Sequence, residues 1–340
     1  MKNLKYLLSL LPACFALTGN ILGGNVIFLN LFYNFIGLVL LDRIWKENKR
    51  DPEDTAEKLI PNIILLLSSL LHTLVILSLL RGIYLKQITG IYIPLAILST
   101  ALNSGISGII SAHEMIHRKQ KAWQGLGIWN LLLVNYAHFY IEHIKVHHKW
   151  VGTQRDAATA RFGESIYAFV WRTIPGQFIS AFTTEVQRLK KENKNGFGIQ
   201  NFVLLSLALQ FFICGFIATL LGWKLLFAYL LQSLIAVFLL EYVNYIEHYG
   251  LTRNEDEKYS AEHAWQSDIP ISRFTLIELS RHSDHHLKAS KPYHTLVSHH
   301  ESPVLPSGYF GVFYVVMLPP LWFRLVHPIL EKRAKEEKLN

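Results

Sequence analysis

The chain predicts an all-α integral membrane protein, six transmembrane helices carrying a histidine-rich helical cap on the cytoplasmic side. Three observations lead there. Long uncharged apolar runs recur along 340 residues that are 51% hydrophobic and only 17% charged. Lys and Arg gather at one end of those runs, and so do most of the 16 histidines. An ordinary soluble domain carries about 25% charged residues. With a mean hydropathy of +0.24, a disordered chain, a coiled coil and a secreted disulfide scaffold are excluded.

Tyr6 to Leu41 holds no charged side chain over 36 residues, too long for one span of about 20. Gly19, Asn20, Gly23, Gly24 and Asn25 near its middle supply turn conformations, which predicts a helical hairpin over 4–20 and 25–42. A cleaved signal peptide is not expected, since the apolar stretch is too long and offers no clear small-residue cleavage site. Further uncharged runs, Leu59–Leu80, Gln87–Ala112, Asn195–Trp223 and Leu225–Leu240, predict spans at 59–81, 90–112, 198–221 and 224–246. Cys14 and Cys214 both fall in such runs and read as small buried apolar side chains, with no disulfide framework.

Basic residues set the direction. Arg43, Lys46, Lys49, Arg50 and Lys58 follow the second span, whereas the next turn has only Arg81 and Lys86 and the last only Lys224. Basic loops stay cytoplasmic, so both termini are expected inside. The net charge of +8 reports this bias, and nucleic-acid binding is not expected. Ala122–Ile141 is also apolar, but it separates histidine clusters that belong on one side. It is therefore expected to lie along the membrane surface or to be re-entrant. Val304–Phe323 carries Pro306, Gly308, Pro319 and Pro320 and precedes Lys332, Arg333, Lys335 and Lys338, which keeps it on the cytoplasmic side. The whole chain, 1–340, reads as one domain, with a cap built from 113–197 and 247–340.

The chemistry lies in the histidines. His113 and His117 are spaced i, i+4, one face of a helix. His143, His147 and His148 form a second cluster, and His282, His285 and His286 a third. His248 stands at the mouth of the sixth span. Nine imidazoles exceed what one ion needs and suit two ions. Imidazole alone does not choose the metal; iron is preferred because an open pair of redox ions at a membrane surface suits O₂ activation. Glu114, Glu142, Glu247 and Asp284 lie one or two residues from a candidate ligand and are expected to orient imidazoles from behind. His72, in the middle of the third span, reads as a hydrogen-bonded bundle histidine. His263, His294, His299, His300 and His327 read as surface or supporting residues.

These segments resemble the integral-membrane alkane 1-monooxygenase family, the alkane hydroxylase branch of the fatty-acid desaturase/hydroxylase superfamily. HEMIHR at 113–118, HFYIEHIKVHH at 138–148, NYIEHYGL at 244–251, RHSDHH at 281–286 and LPSGY at 305–309 fall in the family's order. NYIEHYG is the specific element, typical of the alkane and xylene hydroxylases. The resemblance implies a bacterial inner-membrane enzyme that hydroxylates medium- or long-chain alkanes to primary alcohols with O₂. It implies two iron ions held by His113, His117, His143, His147, His148, His248, His282, His285 and His286, with His138 nearby as a non-ligand. It also implies electrons from a rubredoxin served by its reductase. The chain departs from the family's usual pattern at 45–48, before the His147–His148 pair and at 154–157, which touches substrate and donor rather than ligands.

Rival readings are aryl-methyl oxidation, fatty-acyl hydroxylation or desaturation at the same centre. More remote is a zinc protease, since His113-Glu114-x-x-His117 spells HExxH. A protease needs only one further ligand and leaves most of the constellation idle. A metal sensor or transporter would need polar-lined spans, and His72, Asn103, Gln210 and Gln232 are scattered.

Overall fold

The computed structural model describes residues 2–52 and 56–337; Lys338 lies outside them. Among the described residues six helices are long and apolar enough to cross a membrane: α1 (Asn3–Leu22), α2 (Gly24–Ile44), α3 (Leu59–Tyr84), α4 (Tyr92–Ile116), α8 (Phe202–Leu221) and α9 (Trp223–His248). Between and after them come α5 (Lys121–Leu132), α6 (residues 139–150), α7 (Ile166–Lys191), α10 (His282–Leu287) and α11 (Pro319–Glu337). Among the described residues the one β-pairing is an isolated bridge between Gln266 and Val304. The spans match the expected ones to within a few residues. α3, α4 and α9 run two to four residues longer at an end; in α4 and α9 the added residues are buried against the cap.

The spans are apolar on all sides, as lipid-facing helices must be. Phe211, Phe212, Phe216 and Phe227 stand outward and exposed. Cys14 is exposed too and Cys214 half-buried, against the expectation that both are buried. In a bundle surrounded by lipid, apolar character no longer signals the inside. The turn from α8 to α9 passes through Gly222 at φ 90°, a conformation a side chain resists.

The segment 121–141 is re-entrant rather than surface-lying. Asn130 on α5 accepts from His72 Nδ1 through its Oδ1 (2.8 Å) and donates to Ser69 Oγ, both near the middle of α3. The chain turns back through Asn135 at φ 54°. Backbone carbonyls freed in this turn must be satisfied by protein, since lipid offers no donors. Tyr229 hydroxyl donates to the Leu132 carbonyl and Gln232 Nε2 to the Leu133 carbonyl, each at 3.2 Å, and Asn135 Nδ2 donates to Ser233 Oγ. His72 and Gln232 thus hold the hairpin in place. α6 then returns toward the cap.

The cap is tied to the spans by buried polar groups. Asp42, at the end of α2, accepts the Phe310 and Gly311 amides and the Ser272 hydroxyl. Glu278 takes both Arg273 nitrogens at 2.6 and 2.9 Å and the Tyr6 hydroxyl from α1. Arg281 bonds Asp268 and the carbonyls of Arg50 and Leu296. Arg273, Glu278 and Arg281 are all essentially inaccessible. This cluster holds the segment that leads directly into α10.

Candidate metal centre

Four separate elements deliver the histidines to one place. His113 and His117 come from the inner end of α4, and His143, His147 and His148 from α6. His248 is the last residue of α9, and His282, His285 and His286 lie on α10. They form two adjacent groups, His113, His117, His143, His148 and His285 in one and His147, His248, His282 and His286 in the other. All nine sequence candidates are included, and His138 is not.

Within each group the ligand atoms lie within 4.8 Å of one another. Metal–nitrogen bonds of about 2.1 Å place nitrogens around one ion up to about 4.2 Å apart. The Nε2 atoms of His143, His148 and His285 face one another in steps of 3.1 Å. Those of His248, His282 and His286 do so at 3.1 and 2.9 Å. A neutral imidazole has a single N–H, so three converging nitrogens leave lone pairs pointing at one another unless a cation stands between them. His113 Nε2, His117 Nε2 and His147 Nε2 are buried without a hydrogen-bond partner. Burial, reinforced by neighbouring rings, pushes His117, His143, His148, His282, His285 and His286 well below the usual histidine range. They are neutral at physiological pH, the form that binds metal. The residues present fit one ion per group.

A local irregularity decides the grouping. Glu142–His147 is a π-helical turn. In an α-helix, residues i and i+5 are about 140° apart; a π-turn's i→i+5 bonding brings them onto one face. His143 and His148 therefore share a group, and His147 turns to the other.

Hydrogen bonds orient the four-histidine group from behind. His147 Nδ1 lies 2.9 Å from Asp156, His282 Nδ1 3.2 Å from Glu247, and His248 Nδ1 3.3 Å from the His263 carbonyl. The bonds of His147 and His248 keep the proton on Nδ1 and leave Nε2 free, whereas Glu247 approaches His282 Nδ1 without hydrogen-bond geometry. Tyr309 hydroxyl donates to Glu247 at 3.0 Å. Among the described residues no carboxylate bonds a histidine of the five-membered group. Glu114 pairs instead with Arg118 at 2.7 Å, since adjacent residues on a helix point in different directions. Asp284 accepts from His299, Lys291 and the Val297 amide. Both Glu142 oxygens are buried without a hydrogen-bond partner. His138 packs its ring on Tyr136 and Phe178.

Asp156 and Tyr309 were not singled out in the sequence. Asp156 lies nine residues past His147 in an irregular turn, outside any helical spacing. Burial alone would raise its carboxyl, but His147 and Thr159 hold it below the usual range. Asp156→Asn is expected to weaken metal binding in the four-histidine group about 10- to 100-fold, read by titrating the metal-free protein; an unchanged affinity would mean that the His147 contact is incidental.

Comparison with known proteins decides the family. Residues 88–316 match the fatty acid desaturase family model. The chain is 33% identical over 312 residues to an alkane 1-monooxygenase of Ectopseudomonas oleovorans, covering 87% of this chain and 77% of that protein. The chain belongs to the alkane 1-monooxygenase branch of the fatty acid desaturase family. It is 41% identical over 241 residues to alkane 1-monooxygenase 1 of Pseudomonas aeruginosa, covering 68% of this chain and 62% of that protein. It is also 30% identical over 232 residues to the hydroxylase component of a Pseudomonas putida xylene/toluene monooxygenase, covering 68% of this chain and 62% of that protein. The chain spans less than two thirds of the length of several of these relatives.

Proposed function

We propose that the protein is an O₂-dependent hydroxylase that converts medium- and long-chain alkanes to primary alcohols. Two iron ions would be held by the nine histidines, with electrons from a rubredoxin-type donor and its reductase. It would sit in a bacterial inner membrane as one domain, with the site near the cytoplasmic face. The observation that carries this reading is an apolar path ending at the histidines.

A narrow cavity runs between α2, α4, α9 and the 309–313 loop. Gly105, Ile110, Leu239 and Val243 are shared with a second cavity bordered by His113, His143, His282 and Glu247. Its walls are almost wholly apolar, with Phe35, Tyr242, Phe310 and Phe313 among them. An alkane partitions from water toward such surroundings at about 0.8 kcal/mol per CH₂. When bound, the irons would supply O₂ activation and the oxidising power for C–H cleavage. The chain's own work is to line the path, exclude water from it and aim one chain terminus at the imidazoles. Asp156 holds the proton at His147 Nδ1, which keeps the opposite nitrogen as a donor to metal, and Glu247 stands beside His282.

Aryl-methyl oxidation is a second reading, supported by the likeness to a xylene/toluene monooxygenase component. The Arg118 partner of Glu114 speaks against a protease, because that carboxylate is engaged away from the histidines.

The test is whole-cell conversion of alkanes from hexane to hexadecane, and of xylene, with a rubredoxin system supplied. Primary alcohols are expected; their absence from iron-loaded protein would overturn the reading. Gly105 tests the path itself. A Cβ there would stand 2.7 Å from Leu239 Cδ1. Gly105→Val is expected to lower conversion of the longest accepted alkanes roughly tenfold relative to short ones, measured as the product profile across chain lengths.

A further inference from the structure

The far end of the apolar path carries polar groups that alkane oxidation does not use. Asn34 lines the path and is almost fully buried. Its Nδ2 donates to the Asn30 carbonyl and side-chain oxygen, both at 2.8 Å. Its Oδ1 has no hydrogen-bond partner. It sits in a π-helical turn, Tyr33–Gly37, a distortion that recurs at functional sites. The facing helix has a π-turn of its own, Ser104–Ile109, which brings Gly105 and Ile106 to the same path.

Register places this group far from the histidines. Asn30 donates to the Ser99 carbonyl and hydroxyl, so α2 and α4 meet there. Both helices run toward the cap, and four residues further on Asn34 stands level with Asn103. Asn103 is also inaccessible, with neither side-chain atom partnered. From Asn103 to His113 is ten residues, about 15 Å of helix. Buried amides without partners are uncommon and call for an occupant. Here Asn34 Oδ1 is a bare acceptor at the end of an otherwise apolar path.

We propose that this end is a subsite for a hydroxyl group. Resting on the hydroxylase reading, the protein takes medium-chain 1-alkanols hydroxyl end first and oxidises their methyl end to α,ω-diols. A hydroxyl donates to Asn34 Oδ1, satisfying an atom that an alkane leaves bare. In the reaction the methyl carbon exchanges one hydrogen for a hydroxyl. One atom of O₂ enters the diol and the other leaves as water, with two electrons from the reduced protein donor and two protons.

The experiment uses the full iron-loaded protein with its electron donor, and decane and 1-decanol as probes. The ratio of kcat/KM for 1-decanol to that for decane is expected to fall about tenfold in Asn34→Leu, the loss of one hydrogen bond. Thermal stabilisation of the protein by 1-decanol, relative to decane, is expected to fall with it. Asn34→Ala provides the same reading if Asn34→Leu does not fold. Conversion of decane with an unchanged ratio in both variants overturns the subsite. Failure of wild-type protein to oxidise decane sinks the hydroxylase reading instead, while stabilisation by 1-decanol that depends on Asn34 still upholds the subsite.

Discussion

Replacing His248 with alanine is expected to halve bound iron, from two ions per chain to one, and to abolish hydroxylation. Replacing His117 is expected to abolish or cripple activity while both ions remain. The asymmetry follows from the partition into five and four imidazoles. Removing one ring from the group of four leaves three neutral ligands in a buried place with no carboxylate within the group. Removing one from the group of five leaves four, the number at which such ions are commonly satisfied. Metal analysis of purified variants, with activity alongside, reads both effects. Equal metal loss in the two variants would show that the partition is not the one drawn here.

The second large effect concerns stability. Glu278→Ala is expected to destabilise the protein by about 3–5 kcal/mol, because breaking a buried ion pair strands its partner's charge. Arg273 bonds Glu278 through two nitrogens, and the Nε of Arg281 lies 3.7 Å from the same carboxylate. Both guanidiniums are shut off from water. The Tyr6 hydroxyl would lose its acceptor as well. Half-life at a fixed temperature in detergent is the suitable measure, since membrane proteins of this size often unfold irreversibly. Lys332→Ala serves as comparison; its bridge to Glu336 is solvent-exposed and worth at most about 1 kcal/mol. A Glu278→Ala protein as durable as that one would refute the role given to the cluster. Since Arg281 directly precedes His282, its loosening should also lower metal retention.

Much of this was legible because the signals are local. An uncharged run long enough to cross a bilayer marks a span wherever it occurs. Histidines at i, i+3 and i+4 mark a helix face whatever packs against it. Tertiary context decided the rest. Cys14 faces outward because apolar side chains in a bundle have lipid as an alternative to the core. Asn130, His72 and Gln232 look scattered along the chain, yet they meet around the re-entrant hairpin, where backbone carbonyls need donors. Asp156 and Tyr309 reach their partners across irregular loops, with no period to betray them. Asp42 and Glu278 bind groups more than 200 residues away.

The amino-acid sequence by itself determined six spans and the nine imidazoles, since hydropathy and short spacing act within a single element. Which imidazole joins which group, where the polar end of the apolar path lies, and which carboxylates stand behind the histidines were decided only by the tertiary structure. The physical reason is that π-turns shift side chains to faces that a regular helical period does not predict, and that buried polar groups take whatever partner folding brings within hydrogen-bond reach.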